Sequence, residues 1–180
     1  MIITENFRFI SQTEDVSKIL QQVLDNPQDW GSAGGWKNAA GKLQNYGCLP
    51  LIMGLVKSQD DLVKHSRLQR STPLFNKYTE IQKWLRSKGI KQTARCAFFK
   101  LPPDGGIGLH VDEGDYYLHN DRYHLSLQGN YLYTCGGEEH MITPGTFFWF
   151  NNKKPHMAQV VGDVDRITFV FDVPKSRNNP

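Results

Sequence analysis

The 180 residues suit one compact domain with a modest helical extension, and 39% apolar with 22% charged residues close a core and exclude a disordered tail. Lys and Arg number 21 against 18 for Asp and Glu, a formal charge of +3 with no basic block, so nucleic acid is not an expected partner. No apolar run approaches the roughly 20 residues that cross a bilayer, so no membrane association is expected.

The opening MIITENFRF has no charged-then-apolar signal pattern. Cys48, Cys96 and Cys135 cannot all pair, and they lack the close spacing of a metal site. Free thiols in a reducing, cytoplasmic setting are the simplest expectation.

In chain order, TEDVSKILQQVLDN places Val16, Ile19, Leu20, Val23 and Leu24 at helical spacing, with Thr13 as the N-cap and Asn26-Pro27 as the stop. Residues 27–56 mix glycines with Trp30, Trp36 and Tyr46, which suggests loops and short strands. Within them the Gly/Trp segment 30–47 reads as a lid or substrate-facing loop. A second helix follows, capped by Ser71 or Thr72, opened by Pro73 and stopped by Gly89. Its stripe of Leu74, Tyr78, Ile81 and Leu85 is core packing, like that of the first helix.

From Ile90 onward the apolar period changes to two. Strands are expected at about 93–100, 122–128, 131–135, 146–150, 157–161 and 166–173, separated by Gly/Pro/Asn/Asp turns. Strands this close leave no room for crossover helices, so the sheet should be mainly antiparallel. The expected fold is mainly β within an α+β arrangement: a double-sheet jelly roll backed by N-terminal helices, in one domain over 1–180. Residues 1–90 form the front and 91–174 the core, and the tail KSRNNP should fray.

The chemistry concentrates in the back half. GIGLHVD sets His110 and Asp112 two residues apart, so on an extended chain both point to one side. With His156 from KKPHMAQ as third ligand, two imidazoles and a carboxylate form the facial set suited to non-haem Fe(II) and dioxygen. Taken alone, an H-x-D pair is more often polar surface. Arg166 follows His156 by ten residues across VGDVD, and an odd number of loop residues in that turn puts the two on the same face of adjacent antiparallel strands. Their offset would be roughly 7–13 Å, a reach that suits the far carboxylate of a chelating five-carbon dicarboxylate. Thr168 on the same face adds a hydroxyl. On RYHLSLQG, Arg122, His124, Ser126 and Gln128 alternate with Tyr123, Leu125 and Leu127. That alternation describes any half-buried strand, yet two cationic or potentially cationic groups at its head, Arg122 and His124, also suit an anion pocket. Phe147, Trp149, Tyr131 and Tyr133 are candidate walls. His65, His119 and His140 read as solvated.

The order KLPPDGGIGLHVD, DRYHLSLQG, ITPGTFFWFNNKKPHMAQVVGDVDRITFVFDV resembles the aspartyl/asparaginyl β-hydroxylase-like family of Fe(II)- and 2-oxoglutarate-dependent dioxygenases. The resemblance covers most of the back half. It implies that His110 and His156 bind iron and that Arg166 holds the distal carboxylate of 2-oxoglutarate. It implies further that Arg122 and His124 meet that cosubstrate near its chelating end. Asp112 stands where some members have glycine, which implies a full three-ligand site. Phe99 stands where the animal enzyme has a serine that helps bind 2-oxoglutarate. The implied activity is hydroxylation of an amino acid or of a peptidyl Asp/Asn/Pro-type side chain, with dioxygen consumed and succinate and carbon dioxide released. Two other accounts remain open: a cupin-type metal-dependent isomerase or small-molecule binder, and an interaction domain without metal. Oligomeric state is not legible.

Overall fold

The computed structural model describes residues 2–37, 43–54 and 69–175, with side chains left out of account for 32–45. Twelve strands pair without exception antiparallel in two sheets. They are β1 (Phe7–Ser11), β2 (Gly31–Lys37), β3 (Leu43–Gly54), β4 (Gln69–Ser71), β5 (Cys96–Leu101), β6 (Gly106–His110), β7 (Asn120–Gln128), β8 (Asn130–Cys135), β9 (Glu138–Ile142), β10 (Phe147–Phe150), β11 (His156–Val161) and β12 (Arg166–Pro174). The large sheet runs β1-β10-β7-β12-β5-β3-β2, with β4 on β3. The small sheet runs β6-β11-β8-β9. Two facing antiparallel sheets with chain crossing repeatedly between them are a jelly roll, as the strand spacing predicts.

The helices α1 (Ser17–Leu24) and α2 (Thr79–Ser87) pack on the outer face of the large sheet. Ile19, Val23, Ile81, Trp84 and Leu85 meet Phe98, Leu125, Leu127, Phe147, Ile167, Phe169 and Phe171 in one core. Each fully buried Phe or Leu there contributes roughly 1.5–3 kcal/mol of transfer free energy. A short helix α3 (Asp115–Leu118) precedes β7.

Local signals hold with shifts. The α1 entrance is stabilised by Asp15, whose Oδ1 accepts the Ser17 N–H at 3.0 Å, two residues beyond the expected Thr13. The second predicted helix is divided. Pro73–Asn76 forms a 3-10 turn, and α2 starts only at Thr79. Tyr78 breaks it, because its ring is fully buried and its hydroxyl donates to Asp29 at 2.9 Å, which fixes a non-helical backbone. Gly89 ends α2 at φ 71°, with Gly89 N–H on the Arg86 carbonyl and Ile90 N–H on that of Leu85, the left-handed helix stop.

Residues 30–47 depart from expectation. They are a hairpin of β2 and β3 extending the large sheet rather than an irregular lid, with 38–42 outside the described residues. The glycines hid a strand whose later part, Tyr46, Leu49 and Leu51, is buried. His140 also departs, lying on β9 with its ring 4.7 Å from Phe7 and 5.0 Å from Phe9. His119 is exposed beside Asp115, as expected. His65 and the tail beyond Lys175 lie outside the described residues. All three cysteines are free.

Candidate metal centre and its cavity

The site begins with a register. β6 and β11 pair so that His110 and His156 stand directly opposite, with ring centroids 4.2 Å apart. Gly106 permits this closeness: a Cβ there would lie 2.6 Å from the Ala158 carbonyl oxygen. Nδ1 of His110 is 2.8 Å from the Gly108 carbonyl, and Nδ1 of His156 is 2.9 Å from that of Lys154. With Nδ1 engaged by a backbone carbonyl, each ring turns its Nε2 towards Asp112.

Asp112, just beyond β6, completes the cluster. Its backbone N–H donates to the Asn152 carbonyl, and its Oδ2 accepts from Arg122 Nη1 at 2.9 Å and Asn152 Nδ2 at 3.0 Å. With one oxygen held from behind, Oδ1 stands 3.8 Å from His110 Nε2 and 4.0 Å from His156 Nε2. The three donor atoms lie within 4.8 Å of one another. Ligands at right angles about 2.1 Å from one ion are about 3 Å apart, so the donor separations would shorten by about 1–2 Å around an ion.

The charges suit a cation. Burial alone would raise the Asp112 carboxyl, but Arg122, the histidines and Asn152 together hold it below the usual range. Burial lowers His156 to about 4, against the pull of Asp112, so the ring is neutral at pH 7.

Behind the cluster, β7 and β12 turn alternate residues inward. Asp172 pairs with Arg122, Val170 with His124 and Thr168 with Ser126. The head of the polar row of RYHLSLQG, Arg122 and His124, therefore lines a cavity of about 330 Å³ between the sheets. That cavity is lined by His110, Asp112, His156, Arg122, His124 and Arg166 among others.

The two arginines of these rows are held differently. Arg122 is enclosed: Nε donates to Asp172 Oδ1 at 2.8 Å, Nη2 to Asp172 Oδ2 at 3.0 Å and Nη1 to Asp112. Tyr117 lies under it, with the guanidinium carbon 4.8 Å from the ring centroid. Arg166 is 3% exposed, its Nε donates to Thr168 Oγ1 at 2.8 Å, and its guanidinium stacks 3.9 Å from the Tyr131 ring. Among the described residues no carboxylate pairs with it, so its outer nitrogens face the cavity as an open fork.

Three expectations need correction. His156 and Arg166 are not on adjacent strands: β11 pairs with β6 and β8, while β12 pairs with β5 and β7. The VGDVD turn carries the chain from one sheet to the other, so the two residues face each other across the cavity instead of along a sheet. Arg122, expected against a cosubstrate, has all three nitrogens committed to protein partners, because two buried carboxylates need its charge. His124 is not cationic. Burial first, then Arg166 and Arg122, push its pKa well below the ordinary value, and Tyr133, Phe148 and Phe150 surround the ring.

Of the proposed walls, Tyr133 lines the cavity and Tyr131 carries Arg166. Phe147 instead packs in the helix-side core, and Trp149 faces out under Arg8. Phe99 lines the cavity and is paired to Thr168. Sequence reading missed Asn152 and Asp172. The alternation that exposes Arg166 and Thr168 also reaches Asp172, so that signal was present; Asn152 sits in a turn with no period to reveal it.

No curated protein matches the chain. Among solved structures, a 2OG-Fe(II) oxygenase family oxidoreductase from Burkholderia pseudomallei superposes with TM-score 0.57 at 12% identity, over 88% of this chain and 79% of that one. At that identity the likeness shows the shared fold. A predicted oxalate decarboxylase from Thermotoga maritima aligns more loosely, with TM-score 0.48 and 14% identity over 82% and 96% of the respective chains. The family model described as aspartyl/asparaginyl beta-hydroxylase matches residues 2–176, helical front included. A match of that extent makes the chain a member of the aspartyl/asparaginyl β-hydroxylase family.

Proposed function

We propose that the protein is an Fe(II)- and 2-oxoglutarate-dependent dioxygenase that hydroxylates an amino acid or a peptidyl Asp/Asn/Pro-type side chain, with release of succinate and carbon dioxide. One observation carries this reading: three metal-type donors converge in a cavity whose opposite wall holds a buried guanidinium with no carboxylate partner among the described residues. His110, Asp112 and His156 are the ligands in this account, and Arg166 takes the distal carboxylate of 2-oxoglutarate. Two imidazoles and one carboxylate on one side are the donor set of non-haem Fe(II) sites, with the remaining positions open. Iron and 2-oxoglutarate, when bound, supply the activation of dioxygen and the oxidising power for a C–H bond.

The chain's own residues bind and orient. Asn152 and Arg122 fix one oxygen of Asp112, so the other is presented in a single direction. The Gly108 and Lys154 carbonyls set both imidazole tautomers. Thr168 and Tyr131 hold the Arg166 fork flat, ready for a bidentate carboxylate, and the Thr168 hydroxyl hydrogen remains free to donate. His124, neutral and cavity-lining, offers one N–H to a ligand oxygen without adding charge. Phe99, Tyr133 and Phe150 exclude water around these groups.

The test is succinate release from 2-oxoglutarate, with and without Fe(II), by wild type and by His110→Ala. Iron-dependent turnover that vanishes in the variant supports the reading. Undiminished turnover in His110→Ala contradicts the ligand set, and 2-oxoglutarate indifference in the wild type favours the cupin-type binder instead.

A further inference from the structure

The cavity holds a second arginine that has no carboxylate partner among the described residues. Arg95 lies just before β5 and heads the inward row Arg95, Ala97, Phe99, Leu101. Leu101 pairs with Arg166, and the Arg95 carbonyl accepts the Asp172 N–H, so the two arginines stand at opposite ends of neighbouring rows. Six residues at strand rise separate them by about 20 Å. A five-carbon dicarboxylate reaching from the metal ligands to Arg166 does not extend to Arg95.

The guanidinium of Arg95 is clamped. Its carbon lies 4.0 Å from the Tyr116 ring centroid on one side. On the other it abuts Gly54, where a Cβ would sit 2.8 Å from Nη2 and 2.9 Å from Nε, so any side chain there would displace the guanidinium from this position. Nε and Nη2 are buried and have no hydrogen-bond partner among the described residues. Asp172, the carboxylate of this end, is already committed to Arg122 and to the Tyr116 hydroxyl at 3.0 Å. A half-buried guanidinium without an anion is unfavourable, and a carboxylate entering the cavity relieves it.

We propose that Arg95, held by Gly54 and Tyr116, anchors a carboxylate of the substrate, and that the substrate is a small free carboxylic acid with an apolar body. Ile52, Met53, Ala97 and Val170 supply an apolar wall beside Arg95. The cavity volume is at the lower end of the range for ligand pockets, which favours a metabolite-sized occupant over a folded loop. The word "substrate" rests on the oxygenase reading; the anion site does not.

The test titrates the standard L-amino acids and their carboxamides into protein loaded with Fe(II) and 2-oxoglutarate under nitrogen, read by calorimetry and thermal shift. At least one free acid binds wild type, and its amide binds about 10- to 100-fold more weakly. In Arg95→Gln the acid weakens to the level of the amide, so the acid/amide ratio falls towards one. Arg95→Lys, which keeps charge but loses the fork, retains part of the preference and guards against a folding artefact. An acid/amide ratio unchanged in Arg95→Gln overturns the proposal, as does failure of every free acid to bind wild type. Arg95-dependent acid binding in protein that ignores 2-oxoglutarate leaves this site standing and removes the oxygenase reading.

Discussion

Strands β7 and β12 present two faces made from alternate residues of the same segments. The helix-side face, with Leu125, Leu127, Ile167, Phe169 and Phe171, is wholly apolar and packed against α1 and α2. The opposite face, with Arg122, His124, Ser126, Arg166, Thr168 and Asp172, is polar though mostly buried, and His124 Nδ1 and Ser126 Oγ have no hydrogen-bond partner among the described residues. Burial on the first face stabilises the fold. Burial on the second strengthens electrostatics for a ligand, at the expense of stability. The outer face is thus a foundation for a strained inner one.

Substitutions can separate the two faces. The largest effect is expected at His156: in His156→Ala, iron content and succinate formation fall to background while the midpoint of thermal unfolding moves by only a few degrees. Loss of fold with loss of activity would erase the distinction. Next is Phe169→Ala, which removes a fully buried ring from the helix side and should lower stability by about 3–5 kcal/mol in denaturant titration. The folded fraction of that variant should still bind iron stoichiometrically. Arg122→Met should be nearly as destabilising, about 3–5 kcal/mol, because Asp112 and Asp172 lose their shared counter-charge. Smaller again is Gly89→Ala, where a left-handed φ of 71° predicts a loss of about 1 kcal/mol with catalysis unchanged.

Much of this division was legible in the sequence. The period of two in RITFVFDV and RYHLSLQG located the strands and both of their faces within two residues. It did not say what lay opposite the polar face, since alternation looks the same against solvent as against a cavity. Convergence of His110 with Asp112 was local and readable, whereas the His156–Arg166 relation depended on which sheet receives the chain after VGDVD. Partners such as Asn152 and Tyr116 act through tertiary contact, and no spacing reports them. In the front half, the glycine-rich stretch suggested loops and short strands but not the pairing of β2 with β3, since edge-strand pairing overrides weak local propensity.

The central claim joins the metal donors to Arg166 through one bound dicarboxylate. The most direct test is calorimetric titration of 2-oxoglutarate into Fe(II)-loaded protein under nitrogen, wild type beside Arg166→Gln. The account predicts one molecule bound per chain in wild type and affinity weaker by about 10- to 100-fold in the variant, with iron content and thermal midpoint retained. Equal affinity in the two proteins would contradict it.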